Sequence, residues 1–384
     1  MVIAWDADGH VDEWEGTFAD AYLEPAFRDR RPTVVNADEA GTYFTWEIPG
    51  RGRFRVGSSP SSKGNVNAQE NERLADWRGS MESGEFRSAA ARAQVLDAEE
   101  TGVQVNYPTL LLAHPLTPDT ALNQALTRAY NNWIADISNQ DPGRFKWVTV
   151  IDPTDPAEAA REILRSKDMG SVGVMVAGTY GSRAIADPFF DPVWAAAQET
   201  GLPLAVHPCF GSQGLADEYA AYGANQFHLS VLIGFRSVLS SNVLDRFPGV
   251  RVGFLETGCT WLDFAAEQVD LIVHDAKFRD ERGAARAEHR ARIARGLPEG
   301  SVEDYIRAGR VFVGFEVDEE MVPYVLQRWG EDCWVYASDI PHGHRILSAP
   351  QQFMNRPDIS AQAKRKLLID NTARFYGLPI PASV

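Results

Sequence analysis

The sequence predicts an α/β protein of the (β/α)8, or TIM-barrel, type with a long insertion after its first strand. Three observations carry that prediction. Short β-branched or apolar runs recur eight times, longer amphipathic stretches separate most of them, and each run is apolar nearly throughout. Strands of that kind are buried on both faces, as in a parallel sheet covered by helices. A doubly wound open sheet is the competing architecture. It would need a phosphate-binding loop, and no GxGxxG or P-loop motif follows any run.

The runs are residues 2–8, 103–107, 145–151, 172–177, 203–207, 250–256, 311–316 and 333–339. Helical periodicity covers 120–137, 157–167, 192–199, 229–247, 262–277 and 319–329. Gly or Pro commonly precedes the next strand, as in TGLPLAVH and RFPGVRVGFLE, where a helix has to stop. The rhythm breaks between residues 12 and 101. That stretch contains a hairpin pattern, TYFTWEIPGRGRFRV, with Pro49-Gly50 near its turn, followed by the polar loop SSPSSKGNVNAQEN. An insertion after the first strand of a barrel emerges at the C-terminal face. Residues 13–100 are therefore expected to form a lid or one wall of the substrate pocket within a single domain spanning 1–384. The basic, Ala-rich stretch 279–295 reads as a solvated helix face.

Composition excludes several classes. With 384 residues, 44% hydrophobic and 23% charged, the chain is ordinary globular protein. Its net charge of −16 repels phosphate backbones and anionic lipid, so no nucleic-acid or membrane partner is expected. Three scattered cysteines (Cys209, Cys259, Cys333) build neither a disulfide framework nor a structural zinc knot, and are expected to be buried and inert. MVIAWDADGH lacks the basic and apolar regions of a leader, and a cytoplasmic protein is expected.

The informative feature is where ionisable residues fall. The first strand runs into Asp6-Ala7-Asp8-Gly9-His10, with Glu13 just beyond, and strand period 2 points Asp8 and His10 to one side. The fifth strand ends in His207, the sixth in Glu256, the seventh in Glu316 and the eighth in Asp339, with His342 shortly after. Charged groups ending apolar strands are costly unless paired, solvated or metal-bound. Closing the barrel would gather them at one mouth. Each also has a structural alternative: a turn cap for Asp8 and Asp339, a satisfied core imidazole for His10 and His207, an ion-pair partner for Glu13, Glu256 and Glu316. His228, early in the helix after the fifth strand, is a weaker candidate. His114, His274, His289 and His344 read as structural or surface residues.

The stretches DADGHVDE, AYNNWIAD, PLAVHP, DRFPGVRVGFLETGCTW, YASDIPH and DNTARFYGL resemble the amidohydrolase-related family that contains aminocarboxymuconate-semialdehyde and resorcylate decarboxylases. The resemblance spans essentially the whole chain and implies a metal-binding barrel in which Asp8, His10, His207 and Asp339 hold the first metal. It also implies dimerisation. Two departures stand out. The usual H-x-H opening is Asp8-x-His10 here, and Glu256 stands where many relatives have a catalytic His. The fourth strand, VGVMVAG, carries no Lys to serve as a carboxylated bridge between two metals.

An oxygen-rich set with a few imidazoles suits Fe(II) or Mn(II) better than zinc. The pattern is similar to the nonheme diiron monooxygenases of platensimycin and platencin diterpenoid biosynthesis. The expectation is therefore two irons held by Asp8, His10, Glu13, His207, Glu256 and Asp339, with His342, His228 and Glu316 in catalysis and O2 as co-substrate. The aromatic residues (10 Trp, 19 Phe, 11 Tyr) and the insertion would suit a bulky apolar, carboxylic or coenzyme A-linked substrate. Arg51, Arg53, Arg55 and Arg236 are available for a carboxylate or phosphate. The alternative is one divalent ion, Zn or Mn, in a hydrolase or non-oxidative decarboxylase, with Glu256 or His342 as general base or acid.

Overall fold

Eight parallel strands form one sheet in the order β1 (Ala4–Val11), β5 (Thr101–Pro108), β6 (Phe145–Thr149), β7 (Gly173–Val176), β10 (Leu204–Val206), β11 (Val252–Phe254), β12 (Val311–Phe315) and β13 (Trp334–Tyr336). The numbers between belong to a separate antiparallel sheet, β2 (Thr33–Ala37), β3 (Phe44–Ile48) and β4 (Gly52–Val56), and to the two-residue pair β8 (Thr179–Tyr180) and β9 (Arg183–Ala184). This is the predicted barrel, nearly closed, with helices between its strands. The computed structural model describes residues 3–37, 44–56, 86–209, 225–281, 296–342 and 348–380. The polar loop 58–71, His289, His344 and the basic stretch beyond 281 lie outside the described residues.

Each predicted run carries a barrel strand, but most observed strands stop a residue or more earlier. His207, Glu256, Glu316 and Asp339 consequently sit just past the ladder instead of inside it. At Glu256 and Asp339 the backbone takes φ values of 52° and 54°. That left-handed conformation costs a non-glycine residue ~1–2 kcal/mol. It turns the chain off the strand and aims both side chains at the mouth, a place where such strain is commonly stored.

Strand alternation divides the core. Val174, Val176, Leu204, Val206, Val311, Val313, Trp334 and Tyr336 face the surrounding helices, while Met175, Ala205, Phe312 and Val335 fill the barrel interior. The N-terminal end of the barrel is plugged by the helix Asn371–Tyr376. Phe375 lies against Gly253, where an added Cβ would meet its ring at 2.5 Å, and the Tyr376 hydroxyl donates to the Ala7 carbonyl. Trp46, Trp133, Trp147, Trp194 and Trp334 are fully buried, so half of the tryptophans that suggested a bulky apolar substrate are core filling.

The chain just past the end of β13 meets β1 through backbone bonds, Asp339 N–H to the Asp8 carbonyl and His10 N–H to the Ile340 carbonyl. Asp6 reinforces this seam. Its buried carboxylate accepts from the Ser338 amide (2.9 Å) and hydroxyl (2.6 Å) on one side and from Gln104 on β5 (2.8 Å) on the other.

Of the predicted helices, 120–137 is observed as Thr120–Ser138 and 262–277 as Leu262–Glu281. Asp119 caps the first by accepting from the Leu122 amide. The run 229–247 splits into Asn225–Leu239 and Val243–Arg246. Ser240 and Ser241 hydroxyls donate back to the Arg236 and Val238 carbonyls there, competing with the helix ladder. The hairpin forms as predicted, Trp46 opposite Phe54, and β2 adds the third strand. Among the described residues, no helix is long and apolar enough to cross a membrane.

Candidate metal centre

Closure brings the ends of β1, β10, β11 and β13 to one mouth. Asp8, His10 and His207 offer atoms that all lie within 4.8 Å of one another, as do His10, Asp339 and His342. His10 Nε2 is 3.5 Å from Asp8 Oδ1 and 3.5 Å from Asp339 Oδ1, and His207 Nε2 is 3.4 Å from Asp8 Oδ2 and 3.1 Å from Glu256 Oε2. These side chains are nearly or wholly buried.

Both imidazoles are oriented from behind. His10 Nδ1 lies 2.8 Å from the Pro108 carbonyl and His207 Nδ1 lies 2.9 Å from the Pro208 carbonyl. A carbonyl only accepts, so Nδ1 carries the proton in each ring and Nε2 presents a lone pair to the cluster. Burial, aided by the neighbouring His342 and His207 rings and opposed by Asp339, pushes the His10 pKa well down, so the ring is neutral. Neutral imidazole latched through its far nitrogen is the form in which histidine binds a metal.

The donor set fits a divalent cation on two observations. Both Asp8 oxygens and the Nε2 atoms of His10 and His207 are buried without a hydrogen-bond partner. Stranding four such atoms in one cluster is otherwise expensive. Their mixture of carboxylate and imidazole is also one that Mn, Fe or Zn accepts.

Other predicted residues fall outside this centre. Glu13 does not reach it. Its Oε2 accepts from the Thr109 and Leu110 amides (3.0 and 2.7 Å) and its Oε1 from the Leu111 amide (3.2 Å), so the carboxylate is consumed in capping a turn. Glu316 stands behind Asp339. Burial, then the Asp339, Glu319, Asp318 and Asp8 carboxylates, push it up to about 8, and its amide donates to Glu319. His228 is half-buried in the first turn of Asn225–Leu239 and supplies no atom to either donor group. His342 is drawn in: Nδ1 lies 2.5 Å from Asp339 Oδ1, Nε2 lies 3.0 Å from the Thr109 hydroxyl, and its ring stacks on His10 at 4.1 Å. Burial would lower its pKa, but the Asp339 carboxylate prevails and raises it.

Sequence reasoning missed Thr109, Asp6 and Arg92. The fully buried Arg92 guanidinium donates to the His10 carbonyl at 2.6 Å. An acid at a strand position predicted to be buried was the available signal for Asp6. Thr109 and Arg92 had none. Cys209, Cys259 and Cys333 are buried, with thiols pushed up chiefly by desolvation, as expected of inert groups. His114 is buried, and desolvation lowers it to about 4, while His274 is exposed.

Residues 88–378 match the family model described as Amidohydrolase. Decarboxylase orsB of Emericella nidulans is 24% identical over 160 residues, covering 38% of this chain and 48% of the relative. Gamma-resorcylate decarboxylase of Polaromonas sp. is 23% identical over 186 residues, covering 42% and 56%. The chain thus spans about half the length of the curated relatives it matches. Among solved structures, 5-carboxyvanillate decarboxylase from Novosphingobium aromaticivorans, complexed with manganese and 4-hydroxy-3-methoxy-5-nitrobenzoic acid, superposes with a TM-score of 0.70 at 20% identity, covering 98% of this chain and 96% of that one. These relatives overturn the expectation of a two-iron monooxygenase and match its alternative, decarboxylation. The geometry explains the error. With Glu13 bound to backbone amides, the surplus of carboxylates that had suggested a second iron shrinks. Neither O2 nor coenzyme A figures in what these relatives are named for.

Proposed function

The chain belongs to the amidohydrolase family of metal-dependent TIM barrels, and from that premise we propose that it is a divalent-metal-dependent, non-oxidative decarboxylase of a small aromatic carboxylic acid. The observation that carries the reading is the buried Asp8–His10–His207 cluster with both Nδ1 atoms latched to carbonyls. In this proposal Asp8, His10, His207 and Asp339 hold one ion, and the manganese of the 5-carboxyvanillate decarboxylase structure makes Mn the first choice. The bound ion supplies positive charge that seats the anionic substrate and steadies charge developing on it.

The protein's own groups do the remaining work. In decarboxylation the bond between ring carbon and carboxyl carbon breaks, its electron pair stays on the ring carbon, carbon dioxide leaves, and the ring carbon takes up a proton. The hydrogen bond from His342 to Asp339 holds a proton at the rim of the cluster, on the Nδ1 atom facing the donors. Thr109 fixes the far side of that ring. Glu256 flanks His207 and lines the same mouth. The hairpin β3–β4 is joined to the loop after β5 by Arg51, which donates to the Pro115 and Leu116 carbonyls, and by the Thr117 hydroxyl on the Pro49 carbonyl, and we assign it as one wall of the substrate pocket.

The test is to load purified protein with Mn and offer 2,6-dihydroxybenzoate, 5-carboxyvanillate and related hydroxybenzoates. Carbon dioxide release without O2 consumption, abolished by Asp8→Ala, is the expected result. Hydrolysis of ester or lactone probes, with no carbon dioxide from any aromatic acid, would overturn the reading.

A further inference from the structure

Glu13 lies outside the donor cluster, yet its carboxylate is wholly buried and occupied on both oxygens by residues 96 to 98 positions away in sequence. The amides it accepts open the single 3₁₀ turn Leu110–Leu112 that follows β5. Those first N–H groups have no partner within the turn, and a buried carboxylate is a strong acceptor for them. The same few residues carry the supports of two imidazoles. The Pro108 carbonyl receives Nδ1–H of His10, and the Thr109 hydroxyl meets Nε2 of His342. The segment 108–111 is therefore a bracket, fastened to Glu13 on one side and holding two site rings on the other.

We propose that Glu13 is a positioning residue that sets the orientation of His10 and His342 through the 108–111 turn. The inference rests on the metal-centre reading of His10 and concerns how that ring is aimed. Without the carboxylate, three buried amides lose their acceptor, and the turn has to shift to find water or another partner. The Pro108 carbonyl and the Thr109 hydroxyl would move with it. Outer supports of this kind typically alter metal affinity by about 10–100-fold. The arms of the bracket are separable. Loss of the Thr109 hydroxyl releases the Nε2 side of His342, whose Nδ1 stays on Asp339, while leaving the Pro108 latch on His10 in place.

The experiment is Mn(II) titration followed by electron paramagnetic resonance on the full-length chain, wild type against Glu13→Gln, Thr109→Val and Thr109→Ser. Asn371→Ala serves as the control for simple destabilisation. Asn371 donates to the Glu331 and Trp334 carbonyls at the start of β13, at the other end of the barrel. Glu13→Gln is expected to weaken Mn binding about 10-fold or more and to change the line shape of the bound ion. Thr109→Val should bind Mn as wild type but lose turnover, with Thr109→Ser restoring it. Wild-type Mn affinity in Glu13→Gln would overturn the inference, and so would equal weakening in an Asn371→Ala protein of matched melting temperature. Absence of Mn binding in the wild type would instead fail the metal-centre reading on which it rests.

Discussion

Individual residues here divide by what lies behind them. Asp8, His10 and His207 have supports or neighbours that point their acceptors inward, so removing one leaves the others buried and uncompensated. Asp8→Ala and His207→Ala are each expected to lower bound Mn to below a tenth of an ion per chain and turnover by at least about 100-fold, measured by elemental analysis and carbon dioxide release. Glu13 gives a prediction of a different kind. Burial holds it at about 7, against the pull of its backbone donors, from an ordinary value of 4.5. The folded chain then binds the extra proton between those two values, so stability falls as pH rises from about 4.5 to 7 and levels off above. Denaturant titrations across that range should show this slope in the wild type and lose it in Glu13→Gln. The D-x-H pair was legible because period 2 is a property of the strand itself. That Glu13 turns away was not, since its partners are backbone amides that only the fold brings within reach. Asp6 and Asp8 read alike in sequence, yet one stitches strands and the other faces the cluster.

Among the elements, the eight barrel strands were legible because burial on both faces leaves unbroken apolar runs. Their last residues were not, because leaving the ladder at Glu256 and Asp339 depends on a left-handed backbone that sequence does not announce for an acid. The hairpin was legible from alternation around Pro49-Gly50. Its third strand, β2, was not: Thr33–Ala37 lies away from the Pro-Gly turn that marks the other two. This small sheet is pinned by Trp46, fully buried and edge-on to Phe18 at 5.9 Å. Trp46→Ala should cost about 3–5 kcal/mol in urea denaturation. Arg51→Ala removes only partly exposed bonds to the β5 loop and should cost about 1 kcal/mol. If the hairpin is a pocket wall, Arg51→Ala raises KM several-fold with kcat little changed. Unchanged KM would count against that role.

At the scale of the whole molecule, the net charge of −16 and the ring of donors act together. Asp8, Glu256 and Asp339 crowd one mouth with Glu316 behind them, and a divalent ion would relieve their mutual repulsion. Stripping the protein with chelator should therefore lower its melting temperature by several degrees, and Mn should restore it. Free ion at 100 times its Kd corresponds to about 2.7 kcal/mol of stabilisation. Magnesium, which prefers oxygen ligands and retains its water, should restore less.

The seam between first and last strands gives that linkage a direction. Asp8 and Asp339 are joined by a backbone hydrogen bond and flank the same donors, while Asp6 and Ser338 lock together 332 positions apart in sequence. An ion held by both aspartates, as proposed, would be a clasp on a ring that is otherwise shut by a handful of hydrogen bonds. Everything between the two strands forms one enormous covalent loop, and the clasp ties its ends. Opening of the empty protein should accordingly begin at this join. The amides of His10 and Asp339 would exchange with deuterated solvent well before those of β6 or β7, and manganese would slow them first. Occupancy and circular closure of the barrel would then be one equilibrium seen from two sides.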